Sequence, residues 1–68
     1  MVVKQMGLLA MKAVVKVWDD MVEINVNQRS TSVWIATGEY KGKYHEVKRQ
    51  TRGAAVKGWA DAAKYHSN

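Results

Sequence analysis

The sequence predicts an α+β domain: an antiparallel meander of three strands, or four, with one C-terminal helix packed on one face. Three observations support this fold class. Apolar and polar residues alternate over residues 22–27, as in a strand with one buried face. Two runs rich in β-forming residues, 32–40 and 44–49, flank Lys41-Gly42, a dipeptide typical of a tight turn. Residues 51–65 then carry small apolar side chains at helical spacing.

The helix is predicted to run from Thr51 to Tyr65, with the Thr51 hydroxyl as its N-cap. Lys57 and Asp61 form an ion pair at helical spacing on the exposed side. Gly58 costs about 1 kcal/mol relative to alanine, but it permits close approach to a sheet. Trp59 is expected to be the most buried helix residue. The predicted buried stripe is Ala55, Trp59, Ala62 and His66, flanked by Val56 and Ala63.

The chain divides into an N-terminal segment, residues 1–20, and a sheet-plus-helix domain, residues 21–68. The first segment is a helix, a loose arm or an extra strand. The strand alternative predicts a hairpin with Asp19-Asp20 as a two-residue turn, which places Val17 opposite Val22 and Lys16 opposite Glu23. The polar residues 27–32 are predicted to form the next turn.

Pairing the strands 32–40 and 44–49 about Lys41-Gly42 assigns each residue to a face. Ala36 and Val47 are then cross-strand partners on the face assigned to the helix. That face comprises Trp34, Ala36, Gly38, Tyr40, His45, Val47 and Arg49. The opposite face carries Val33, Ile35, Thr37, Glu39, Tyr44, Glu46 and Lys48.

Length and composition indicate one small domain without cysteines. The only histidines, His45 and His66, are too few for a metal cage, and Asp19-Asp20 is better explained as a turn than as paired catalytic carboxylates. The sequence therefore indicates no enzyme, cofactor, metal or small-molecule substrate. The apolar N-terminal stretch is interrupted by lysines and too short to span a membrane. A cytoplasmic protein is expected.

The formal net charge of +5 fits a nucleic-acid partner or an acidic protein. Phosphate contacts are expected from the polar turn at Asn27–Arg29, the turn at Lys41–Lys43 and the helix start. Trp34 is either part of the core or exposed for stacking on bases. The residues predicted to bind nucleic acid are Arg29, Lys41, Lys43, Tyr44, Lys48, Arg49, Arg52 and Lys57.

A strand-rich region followed by Thr51, Ala55, Trp59, Ala62 and Ala63 resembles three families. The pattern is similar to the three-stranded DNA-binding domains of plant ethylene-response factors and lambda-type integrase arms. It is also similar to HicB antitoxins and, more distantly, to double-stranded-RNA-binding domains. The first resemblance implies that the sheet face away from the helix lies in the major groove. The face available here is less basic than in that family.

A protein-binding module is the alternative function. Val33, Ile35 and Tyr44 are predicted to remain uncovered on the sheet face away from the helix. An apolar surface of that kind on a small domain usually contacts something. The candidates are the chain's own N-terminal segment, a second copy of the chain, or a ligand. As a protein-binding module the chain would be a homodimer, or a small regulator or inhibitor from a mobile element. Strand addition at an open sheet edge is a further route to a dimer.

Overall fold

The computed structural model describes residues 9–66, which form four strands and one helix. The strands make one antiparallel sheet in the order β1-β2-β3-β4, so every strand pairs with its neighbours in sequence. The α+β prediction is confirmed in its four-stranded version, and residues 1–8 lie outside the described residues. The elements are β1 (Leu9–Val17), β2 (Asp20–Ser30), β3 (Val33–Tyr40), β4 (Lys43–Arg49) and α1 (Arg52–His66).

The first hairpin turns at Trp18-Asp19, so the predicted turn at Asp19-Asp20 is wrong by one position. Val15 therefore faces Val22, and the predicted pair of Lys16 with Glu23 does not form. Trp18 has a left-handed φ of 56° in this turn, and β2 begins at Asp20. A one-position shift of the turn moves every partner by two residues. The faces of both strands therefore stay as predicted.

The second connection is shorter than predicted, because β2 continues to Ser30 and only residues 31–32 form the turn. Gln28 pairs with Trp34 and Ser30 pairs with Val33, so Arg29 is the extra residue of a β-bulge. The polar residues in this part of β2 have the composition of a loop. The backbone of Asn27 and Gln28 nevertheless pairs with both β1 and β3.

The third turn is confirmed at Lys41-Gly42, where both residues have positive φ, 52° and 81°. Ala36 and Val47 are cross-strand partners, as predicted from this turn. Both are buried in the core between the sheet and α1.

The core contains Trp59 at full burial, together with Ala55 and Ala63 on the same helix. Trp59 is the largest of the three, which confirms its predicted place as the main helix anchor. The predicted stripe is wrong at its end, since Ala63 replaces Ala62 and His66 is exposed. Steps of four residues follow one side-chain ridge, which is inclined to the helix axis. The buried residues of this core between sheet and helix are Val15, Val17, Ile24, Val26, Ala36, Tyr40, Val47, Ala55, Trp59 and Ala63.

Two glycines allow α1 to lie close to the sheet. A Cβ at Gly38 would come within 2.8 Å of Ile24 Cγ2 and 3.1 Å of Trp59 Cζ2. A Cβ at Gly58 would lie 2.8 Å from Val47 Cγ1. The prediction that Gly58 serves close approach is therefore confirmed.

Candidate nucleic-acid interface

All three arginines of the sequence lie at one end of the sheet, where α1 begins. Arg29 occupies the bulge of β2, Arg49 ends β4 and Arg52 starts α1. Trp34 on β3 pairs with Gln28 on one side and with Arg49 on the other, so this register brings the strand ends together. We call Arg29, Arg49 and Arg52, with the neighbouring Lys48, the arginine end. All four side chains are exposed.

The arginines at this end make contacts that leave their charge uncompensated. Arg52 Nε donates to Met11 Sδ at 3.0 Å, and Arg49 Nη1 donates to the Lys48 carbonyl oxygen at 2.8 Å. Within residues 9–66 no carboxylate forms an ion pair with them; the ion pair found there joins Lys57 and Asp61 at 3.3 Å. The arginine end therefore keeps its full positive charge for an anionic partner.

The start of α1 adds to this positive potential. The amide N–H of Ala54 donates to Thr51 Oγ1 at 3.1 Å, which confirms Thr51 as the N-cap. The first turn carries no acidic residue. Backbone N–H groups at a helix start lack intrahelical acceptors, and the helix dipole favours an anion there. Gly53 leaves the approach open, since a Cβ on it would meet no atom within 4 Å.

The other predicted cations lie elsewhere. Lys41 lies in the turn at the opposite end of the sheet and Lys43 begins β4 there, so they cannot act with the arginine end on a short site. Asn27–Arg29 lies in β2 and is not the predicted turn. Lys57 is engaged with Asp61 on the exposed helix face. Tyr44 is 64% exposed, but it lies across from Glu39 near the turn end.

Two acidic residues, Asp19 and Asp20, lie at the turn end together with Lys41 and Lys43. The Tyr40 hydroxyl donates to Asp20 Oδ2 at 2.6 Å and lies 3.5 Å from the Val17 carbonyl oxygen. The hydrogen bond to Asp20, burial, and the negative charges of Asp20 and Asp19 raise the pKa of Tyr40 to about 12. The contact joins the β1–β2 turn to the end of β3. The two ends of the sheet therefore differ in charge.

The sheet face opposite α1, which we call the outer face, carries balanced charge. The register places three lysines and three glutamates on it: Lys12, Lys16, Lys48, Glu23, Glu39 and Glu46. Trp34 is half-buried on the helix side and packs against the core, so the structural interpretation of this residue is correct. The outer face thus offers neither the positive charge nor the tryptophan that groove binding would use.

The predicted apolar patch on the outer face is only partly exposed. Ile35 is 7% exposed and Val33 is half-buried. Ile35 has Asn27 and Lys48 as its neighbours across the strands, which sequence periodicity does not reveal. Tyr44 is exposed as predicted, and Val14 and Met21 are the other large apolar side chains exposed on this face.

Three rings on β4 and α1 are in contact with one another: His45, Trp59 and His66. Trp59 Nε1 donates to the His45 carbonyl oxygen at 3.1 Å, and the His45 ring packs edge-on against the Trp59 ring. The His66 ring stacks on His45 with ring centroids 5.7 Å apart.

The part of the chain that the structure describes contains no group of three or more side chains placed to hold a metal ion. None of the helices among these residues is long and apolar enough to cross a membrane.

Comparison with protein-family models gives no match, and comparisons with curated proteins and solved structures give no significant match. The resemblances noted in the sequence therefore extend to the fold alone. A sheet meander followed by a packed helix is present, with four strands in place of three.

Proposed function

We propose that this protein is a non-catalytic module that binds nucleic acid by phosphate contacts at the arginine end. The observation that carries the proposal is that Arg29, Arg49 and Arg52 lie at the same end of the sheet, and none of them forms an ion pair within residues 9–66. Guanidinium groups bind phosphate oxygens in bidentate geometry. The open helix start beside them supplies backbone N–H groups for the same ligand.

The outer face is a poor surface for reading bases in a groove. Glu23, Glu39 and Glu46 would lie against the phosphate backbone if this face entered a groove. Phosphate contacts position a protein but carry no sequence information. Binding at the arginine end is therefore expected to show little sequence preference and strong salt dependence.

A salt titration of binding tests this proposal. If Arg29, Lys48, Arg49 and Arg52 each contact one phosphate, log affinity falls with log salt at a slope of about −3.6 for duplex DNA and about −2.8 for single strands. Replacing any one of the arginines by alanine is expected to make the duplex slope shallower by about 0.9. Fluorescence anisotropy with duplex DNA, single-stranded DNA and RNA measures these slopes.

The matched control removes the same charge from the other end of the sheet. Lys41→Ala and Lys43→Ala each lower the net charge as Arg49→Ala does, but they lie in the distant turn. They are expected to leave the slope nearly unchanged. Equal effects at both ends would show non-specific attraction to a basic protein, and no binding at low salt would end the proposal.

A protein-binding module is the second candidate function. It is favoured by the exposure of Val14 (61%) and Met21 (67%), which lie on neighbouring strands. Val14 also lies on an edge strand of the sheet, where the backbone can pair with another chain.

A further inference from the structure

β1 forms an open edge of the sheet. Its nine residues pair without a break to β2, and no strand of the described residues lies on its other side. The strand contains neither proline nor a bulge, two features that natural edge strands use against unwanted pairing. Its charged residues are Lys12 and Lys16, both on the outer face. Whether these lysines prevent pairing depends on the register.

The positions of the free backbone groups follow from the first hairpin. Val17 and Asp20 close the two-residue turn at Trp18-Asp19 and form a hydrogen-bonded pair. Hydrogen-bonded and non-hydrogen-bonded pairs alternate along an antiparallel ladder. The N–H and C=O groups of Ala10, Lys12, Val14 and Lys16 therefore point away from β2, toward the open edge.

A second copy of β1 can occupy this edge with full overlap in one antiparallel register. Centring the pair on Ala13, the middle residue of Leu9–Val17, places Lys12 opposite Val14 and Ala10 opposite Lys16 of the other copy. Each of these pairs joins residues whose backbone groups are free. Centring on Lys12 or on Val14 would instead oppose two lysines, which is unfavourable.

We propose that the protein forms a homodimer in which β1 pairs antiparallel with β1 of a second copy about Ala13, continuing one sheet through both copies. On the face covered by α1, this register also places apolar residues of the two copies opposite each other. Met11, which is half-buried, comes opposite Val15 of the second copy, so the apolar core continues across the pair. The proposal does not depend on nucleic-acid binding, because no residue of the arginine end takes part.

The other edge of the sheet is less suited to pairing. β4 carries four charged side chains and one histidine, spread over both of its faces: Lys43, Glu46, Lys48, Arg49 and His45. Charges on an edge strand discourage addition of another strand. β1 has charge on one face alone.

Cysteine cross-linking tests the register directly, since the chain contains no cysteine of its own. Ala13→Cys places the thiol opposite its copy across a non-hydrogen-bonded pair, with Cα atoms about 4.5 Å apart. This distance lies within the range that a disulfide spans. Mild oxidation of the folded variant is expected to give a covalent dimer on a non-reducing gel.

The neighbouring positions supply the controls. Lys12→Cys and Val14→Cys are each expected to remain monomeric on the gel when oxidised alone. A mixture of these two variants is expected to form the mixed disulfide, because the two positions face each other between copies. Equal cross-linking of all three single variants would show random collision and would overturn the proposed register.

Charge substitutions at Val14 test the interface without a covalent bond. Val14→Glu faces Lys12 of the second copy and is expected to strengthen dimerisation, whereas Val14→Lys is expected to weaken it. Within one copy, position 14 faces Glu23, so the same substitutions affect folding with the opposite sign. A change in dimerisation therefore cannot be mistaken for a change in fold stability.

Sedimentation equilibrium of the full chain at high micromolar concentration reports the result. The expected mass is that of a dimer, decreasing toward the monomer for Val14→Lys. A wild-type monomer under these conditions would overturn the proposal, whatever the salt dependence of nucleic-acid binding.

Discussion

The two faces of the sheet differ in how completely their side chains are buried. On the helix side, Val17, Val26 and Ala36 are fully buried beneath α1, and Trp59 lies over Gly38. On the outer face, lysines and glutamates alternate with exposed apolar residues such as Val14 and Met21. Stability is therefore concentrated on one face. The contacts proposed above use the strand ends and the edge strand β1, which lie outside this core.

The largest expected difference between the faces comes from truncating one aromatic residue on each. Trp59→Ala removes a fully buried ring and leaves the His45 carbonyl without its side-chain donor, at an expected cost of about 3–5 kcal/mol. Tyr44→Ala on the outer face removes a ring that is 64% exposed, with an expected change within about 0.5 kcal/mol. Urea unfolding measures both, and similar values for the two variants would contradict the contrast.

The two glycines of α1 differ in the same way, because Gly53 faces solvent and Gly58 faces the sheet. Alanine normally stabilises a helix by up to about 1 kcal/mol relative to glycine. Gly53 faces open space, so Gly53→Ala is expected to stabilise. Gly58→Ala would place a Cβ 2.8 Å from Val47 Cγ1, and overpacking of this kind costs about 1–3 kcal/mol. Opposite shifts in the melting temperature are expected, and stabilisation by both substitutions would disprove the close approach of helix and sheet.

The smallest effect concerns the pH dependence of stability at the turn end. The pKa of Tyr40 is raised to about 12 from an unfolded value of 10.0, so the neutral hydroxyl is favoured in the folded state. Its contribution is complete below pH 10 and is lost as the pH rises through about 12. Tyr40→Phe removes the donor to Asp20. The stability difference between wild type and variant is therefore expected to narrow between pH 10 and pH 12 in urea unfolding.

Subtraction of the two curves removes the contribution of the lysines, which titrate in the same range. A stability difference that stays constant over this interval would show that the contact with Asp20 does not hold the Tyr40 proton.

The faces of the strands could be predicted because alternation has a period of two. An error of one position in the Trp18-Asp19 turn moved the partners by two residues and left every side chain on its predicted face. The turn itself could not be located, because a left-handed tryptophan has no characteristic sequence pattern. The helix start was predictable because Thr51 caps it by a local hydrogen bond.

The candidate site was only partly predictable, because it depends on contacts between distant segments. Arg29 precedes Arg49 by 20 residues, and their meeting at one end requires the bulge in β2 as well as the register of β3 with β4. Neither can be derived from a polar run such as residues 27–32. The burial of Ile35 on the outer face likewise depends on cross-strand neighbours and not on its own periodicity.

The meander topology has a consequence for how the chain folds. Strand pairs that are neighbours in sequence give a low contact order, which favours rapid sheet formation during synthesis. α1 follows the four strands in sequence and leaves the ribosome after them, so Val15, Ile24 and Val26 stay uncovered until Trp59 is available to pack on them. A chain interrupted before Thr51 would carry a complete but uncovered sheet, the kind of surface that chaperones bind and that aggregates if they do not.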